Sequence, residues 1–76
     1  MGMEISIRAG SDLAGLIPPT GTVEIGQEAT VEDVLEKLGI DSDLVMLFVI
    51  DGDLADVDSR LEDGVTLELI PPISGG

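Results

Sequence analysis

Isoleucines alternate with polar residues near the start of the sequence, Glu4-Ile5-Ser6-Ile7-Arg8, a period of two that predicts a strand with Ile5 and Ile7 turned to a core. Thr22-Val23-Glu24-Ile25 repeats the alternation and predicts the returning partner of a hairpin, with Val23 and Ile25 inward. Between them residues 9–21 carry Gly10, Gly15, Gly21 and Pro18-Pro19, the composition of a loop, with Leu13, Leu16 and Ile17 as a short apolar anchor. From Thr30 the period lengthens. Val31, Val34, Leu35 and Leu38 fall at i, i+3, i+4 and i+7, which predicts one amphipathic helix leaving Glu32, Glu36 and Lys37 in water. Thr30 is placed to cap its first turn, Asp33 sits near the positive end of its dipole, and Gly39 supplies a left-handed stop.

Residues 44–50 are apolar in both phases of a strand, with Met46, Phe48 and Ile50 on one side and Val45, Leu47 and Val49 on the other. One helix cannot cover both faces of a small sheet. The second face is therefore either shielded by loops and neighbouring side chains or left open as a patch that docks a partner. Asp51-Gly52 predicts a tight turn, and a short strand follows around Leu54-Ala55. Asp63-Gly64 predicts a second turn, into a last strand over residues 65–70 with Val65, Leu67 and Leu69 inward. This β-β-α-β-β-β order is met economically by an α+β, β-grasp (ubiquitin-like) fold. Its mixed sheet has four to five strands, the first and last paired in parallel at its centre, and one main helix packs across one face. The domain is expected to span residues 1–70, and residues 71–76 to form an extended C-terminal tail.

With 76 residues there is room for one small domain. Cys and His are both absent, which excludes disulfides, thiolate metal centres, a cysteine nucleophile and the commonest general base together. Sixteen acids against Arg8, Lys37 and Arg60 give a formal charge of −13. Such a surface repels phosphate backbones and anionic lipid, so neither nucleic acid nor membrane is expected as a partner. It suits a basic docking surface, and equally solubility or life at high salt. No signal-peptide pattern opens the sequence and no apolar run approaches the length of a bilayer span, so a cytoplasmic location is expected.

Asp51, Asp53 and Glu62 occupy the first, third and twelfth places of a calcium-loop frame, but its fifth place is Ala55 and its sixth, where glycine is needed, is Asp56. They read as solvated turn carboxylates, and no metal site is expected. Nothing in the spacing sets two carboxylates across a pocket for acid and base catalysis, and there is no glycine-rich phosphate loop.

The tail is different. Pro71 and Pro72 stop the sheet ladder and stiffen the exit, Ile73 and Ser74 offer a narrow grip, and Gly75-Gly76, lacking Cβ atoms, let a terminal carboxylate enter a tight channel in another protein. At full extension six residues reach roughly 20 Å. A carboxylate is a poor electrophile, but as an acyl adenylate its carbonyl is open to sulfur, nitrogen or oxygen nucleophiles. The chain would supply the reactive end and a partner the catalysis.

From residue 47 onward the sequence has an apolar strand, the Asp51-Gly52 turn, Leu61 followed by Asp63-Gly64, a final strand and then PPISGG. In this it resembles the MoaD/ThiS family of small ubiquitin-like sulfur carriers, the prolines being most like those of the molybdopterin synthase small subunit. The resemblance covers nearly the whole chain. It implies that Gly76 is adenylated by an E1-like enzyme using ATP, converted to a thiocarboxylate and drawn on as a sulfur source, foremost for molybdopterin (molybdenum cofactor) biosynthesis. On this reading the chain is a carrier rather than an enzyme and binds no cofactor of its own. Its partners would be the activating enzyme, a sulfur donor enzyme, and a synthase large subunit or other sulfur acceptor. Gly75, Ser74, Ile73, Pro72 and Pro71 would form the partner-binding tail, and Val45, Leu47, Val49 and Ile70 a docking face. The family often carries Asn at the Asp51 turn, and aromatics where this chain has Ala9 and Leu69-Ile70. Thiamine, tRNA thiolation and amino-acid biosynthesis therefore stay open as destinations, as does a role as a ubiquitin-like protein modifier.

Overall fold

A computed structural model of the chain describes residues 2–10 and 13–72. Strands β1 (Gly2–Ala9) and β2 (Thr22–Gly26), helix α1 (Val31–Leu38), and strands β3 (Leu47–Ile50), β4 (Asp53–Ala55) and β5 (Thr66–Ile70) follow one another in the predicted order. The strands form one sheet in the order β2-β1-β5-β3-β4. β1 and β5 run parallel, with Ile7 opposite Leu67 and Ala9 opposite Leu69, and every other pair is antiparallel. Parallel neighbours need a long crossover, and nearly all the chain between them serves as one. The architecture is the expected β-grasp, with five strands.

Helix α1 is held at both ends by contacts its sequence only half reveals. An α-helix leaves its first four N–H groups without intrahelical partners. Here the Thr30 and Asp33 amides are satisfied within the helix start: Thr30 N–H donates to Asp33 Oδ2 at 2.9 Å and Asp33 N–H to Thr30 Oγ1 at 3.4 Å, a reciprocal capping box. The Val31 and Glu32 amides are met from outside, by the carbonyls of Ser59 and Val57, each at 3.0 Å. At the far end Gly39, with φ 74°, lets its N–H reach the Glu36 carbonyl and the Ile40 N–H reach that of Leu35. Ile40 is then buried as the hydrophobic stop.

The core lies between α1 and one face of the sheet. Met3, Ile5 and Ile7 of β1, Val23 of β2, Phe48 of β3 and Leu67 and Leu69 of β5 meet Val31, Val34 and Leu35 of the helix. Ile5, Leu67, Leu69, Val31 and Val34 are wholly buried, each contributing roughly 1.5–3 kcal/mol of transfer free energy. Connections close the rim with Leu13, Val45 and Leu61. Of the apolar anchor expected in the first loop, Leu13 is buried and Ile17 packs against the core, but Leu16 is exposed at the end of a 3-10 turn, Ala14–Leu16.

Candidate functional site

Among the described residues no element packs over the sheet face away from α1, and the strand register decides what that face shows. Leu47 of β3 stands opposite Ile70 of β5, while Val49 has Leu54 of β4 on one side and Glu68 of β5 on the other. Side chains directly opposed on antiparallel strands lie roughly 4.5–5.5 Å apart at Cβ, so Leu47, Val49, Leu54 and Ile70 form one apolar patch. Leu54 is 74% exposed and Leu47 42%, with Val49 and Ile70 half-buried. Met46, exposed just before β3, donates its N–H to the Ile70 carbonyl at 2.7 Å. Beyond Glu68 the same face turns polar, with Arg8 and Ser6 of β1 opposite Glu68 and Thr66.

Val45 does not belong to this patch. At 7% exposure it lies in the core. A 3-10 turn over Ser42–Leu44, capped by the Asp41 carboxylate accepting the Asp43 N–H at 2.9 Å, interrupts the chain just before β3. The alternation that starts at Leu47 therefore does not extend back to Val45, and the expected docking set loses that residue. It gains Leu54, which the sequence placed in a short strand without marking it as a docking residue. For Leu54 the signal was present, since a two-residue turn at Asp51-Gly52 sets it opposite Val49.

The tail begins at the end of an inner strand. β5 has β1 on one side and β3 on the other, so the chain leaves Ile70 from a backbone paired along both edges. Pro71 is half-buried and Pro72 exposed. Ile73, Ser74, Gly75 and Gly76 lie outside the described residues.

Elsewhere the surface offers little chemistry. Among the described residues no charged or polar side chain is buried, and burial is what usually gives a catalytic acid or base its altered reactivity. No group of three or more His, Cys, Asp or Glu among them is placed to hold a metal ion, and Asp51, Asp53 and Glu62 make no such cluster. The amides at the start of α1 are all occupied, which leaves no anion site there. The ion pair between Arg60 and Glu28, at 3.9 Å, is solvent-exposed on both sides and contributes little. No helix among the described residues is long and apolar enough to cross a membrane.

Solved structures share this arrangement. Small archaeal modifier protein 1 of Haloferax volcanii matches with a TM-score of 0.71 at 23% identity, over 95% of this chain and 100% of that one. A Pyrococcus furiosus protein assigned as molybdopterin converting factor subunit 1 matches with a TM-score of 0.71 at 19% identity, over 93% and 99%. The complex of subunits 1 and 2 of the molybdopterin-converting factor of Helicobacter pylori contains a chain that matches with a TM-score of 0.59 at 20% identity, over 97% and 100%. At such identities the likeness speaks to fold. No curated protein sequence matches the chain. The profile of the ThiS family, however, matches residues 11–76, a stretch that takes in the helix, both Asp-Gly turns, β5 and the tail, and the chain belongs to that family.

Proposed function

We propose that the chain is a sulfur carrier whose Gly76 carboxylate is activated by an E1-like enzyme and converted to a thiocarboxylate, with a molybdopterin precursor as the acceptor that best suits the PPISGG tail. A carboxylate oxygen attacks the α-phosphorus of ATP, pyrophosphate leaves, and an acyl adenylate forms. Sulfur at the sulfide level then attacks the carbonyl carbon, the C–O bond to the nucleotide breaks, and AMP departs with the electron pair. After the sulfur has bonded to the acceptor, water cleaves the acyl–sulfur bond and restores the carboxylate. ATP belongs to the activating enzyme; the chain brings the carboxylate and the surface by which it is held.

The observation that carries this reading is the junction of β5 with the tail. An inner strand, fixed on both edges, passes straight into Pro71-Pro72 beside the apolar patch of Leu47, Val49, Leu54 and Ile70. A partner seated on that patch would have the tail base at its border, and Ile73, Ser74 and Gly75 would thread into its active site. The surrounding acids ask for a basic rim on the partner. A synthase-type second partner is supported by the Helicobacter pylori complex of two subunits.

Intact mass spectrometry tests the reading. Incubation with an E1-like enzyme, ATP and sulfide should shift the mass by the exchange of one oxygen for sulfur, and deletion of Gly75-Gly76 should abolish the shift. A second reading, a protein modifier, is favoured by the likeness to small archaeal modifier protein 1 and uses the same adenylate with lysine amines as nucleophiles. It predicts high-mass conjugates in the same assay. An unchanged mass under these conditions, with neither product, would overturn both.

A further inference from the structure

We infer that Gly10 is a positioning residue for the tail: having no side chain, it lets the Pro71 ring lie against the end of β1, and this contact sets the direction in which Pro71 and Pro72 leave the sheet. The inference rests on the proposed role of Gly76 as the reactive end. A Cβ placed on Gly10 would fall 2.9 Å from both Cδ and Cγ of Pro71, well inside the roughly 3.5–4.0 Å at which carbon atoms rest. Gly10 does not need to be glycine for its backbone, because its φ is not among the positive values found at Gly21, Gly39, Gly52 and Gly64. Glycine is required here by what lies against it.

Neither partner in this contact is free to retreat. Gly10 follows Ala9, which is paired with Leu69, and its carbonyl accepts the N–H of Leu13 at 2.9 Å, with Leu13 buried in the core. Pro71 follows Ile70, whose carbonyl is held by the Met46 N–H at 2.7 Å. Its Cδ is bonded to its own backbone nitrogen, so the ring cannot swing away as a flexible side chain would. A side chain at position 10 must therefore move the Pro71 backbone itself. The displacement would pass outward, since Pro71 precedes another proline and is restricted to extended conformations, while Pro72 has a fixed φ. A shift of about 1 Å at the base is enough to misplace a reacting carbonyl in a tight channel.

Gly10→Ala, Pro71→Ala and the double variant test this, with ATP–pyrophosphate exchange by an activating enzyme as the readout. Gly10→Ala should lower kcat roughly 10- to 100-fold while KM, which reports docking of the body, stays within about twofold. Pro71→Ala alone, lacking the ring atoms that a Cβ would strike, should lose less, and the double variant should match Pro71→Ala instead of compounding the two losses. Wild-type kcat in Gly10→Ala, or a loss that Pro71→Ala does not relieve, would overturn the inference. Should no enzyme load the wild-type chain, the sulfur-carrier reading fails, and the contact is judged separately. The chain has no cysteine, so a nitroxide on Ser74→Cys labels it at one place. Its paramagnetic broadening of body amides should move to a different set of residues in Gly10→Ala and return in the double variant toward that of Pro71→Ala. An unmoved footprint sinks the steering role whatever the activity.

Discussion

The Asp51 carboxylate accepts the backbone N–H of Thr66 at 2.9 Å, while the Asp51 N–H donates to the Thr66 carbonyl at 3.0 Å. Asp51 has φ 49° and Gly52 φ 90°, the paired left-handed residues of a type I′ turn. The side chain takes a place that a continuing strand would fill with a carbonyl. One residue thus closes the β3–β4 hairpin and ties it to β5, the strand that feeds the tail.

Asp51→Ala should remove that hydrogen bond and put a residue with no αL preference at a positive φ, costing about 1–3 kcal/mol. In a domain of this size the melting temperature should fall by roughly 4–8 °C for each kcal/mol lost. Asp51→Asn keeps an acceptor and tolerates the turn, so it should stay close to wild type. Thermal unfolding of the three proteins decides the matter, and equal losses in Asn and Ala would mean the side-chain bond is not what holds the turn.

Thr30 makes a second local test. Thr30→Ala removes the acceptor for the Asp33 N–H and half of the capping box, and should lower stability by about 1 kcal/mol with little change in the urea m-value. Thr30→Ser should recover most of it. Equal stability of Thr30→Ala and wild type would mean that the capping box does not hold the helix start.

Val45 and Leu54 separate folding from docking. Val45 is in the core, and Val45→Ala should cost roughly 2 kcal/mol in unfolding measurements. Leu54, almost fully exposed on an edge strand, should change stability by less than about 0.5 kcal/mol when cut to alanine. In titrations against the activating enzyme the order should reverse, with Leu54→Ala or Leu47→Ala weakening binding about tenfold. Wild-type affinity in both would remove the outer sheet face from the interface.

These cases show where the sequence speaks and where it does not. Helix α1 is legible because its signals are local: a cap at Thr30, a 3.6-residue period from Val31 to Leu38 and a left-handed stop at Gly39 all act within two turns. Both Asp-Gly turns are legible for the same reason. The Val45 phase is not, because a 3-10 turn that ends one residue earlier breaks a run whose letters read as continuous. Nor are the carbonyls of Val57 and Ser59 on the helix amides, or the Pro71 ring over Gly10, legible: these join residues far apart in the chain, and only the assembled sheet brings them together. The apolar face was foreseeable as a choice between shielding and exposure, and the register settled it by setting Leu54 beside Val49.

The charge of −13 leads to a last prediction, in which salt has opposite effects on two quantities. Like charges spread over a small body repel one another, and that repulsion acts against the compact state. Screening shortens its range from about 30 Å at 0.01 M salt to about 3 Å at 1 M, so the melting temperature should rise with sodium chloride. Association with a basic docking surface draws on the same field with the other sign. Its on-rate should fall roughly 10-fold or more over that range, while the off-rate, set by the buried apolar contacts, changes little. Stopped-flow binding and thermal unfolding on one set of buffers read both trends. An on-rate indifferent to salt, alongside a rising melting temperature, would assign the acids to solubility and deny them any part in steering a partner.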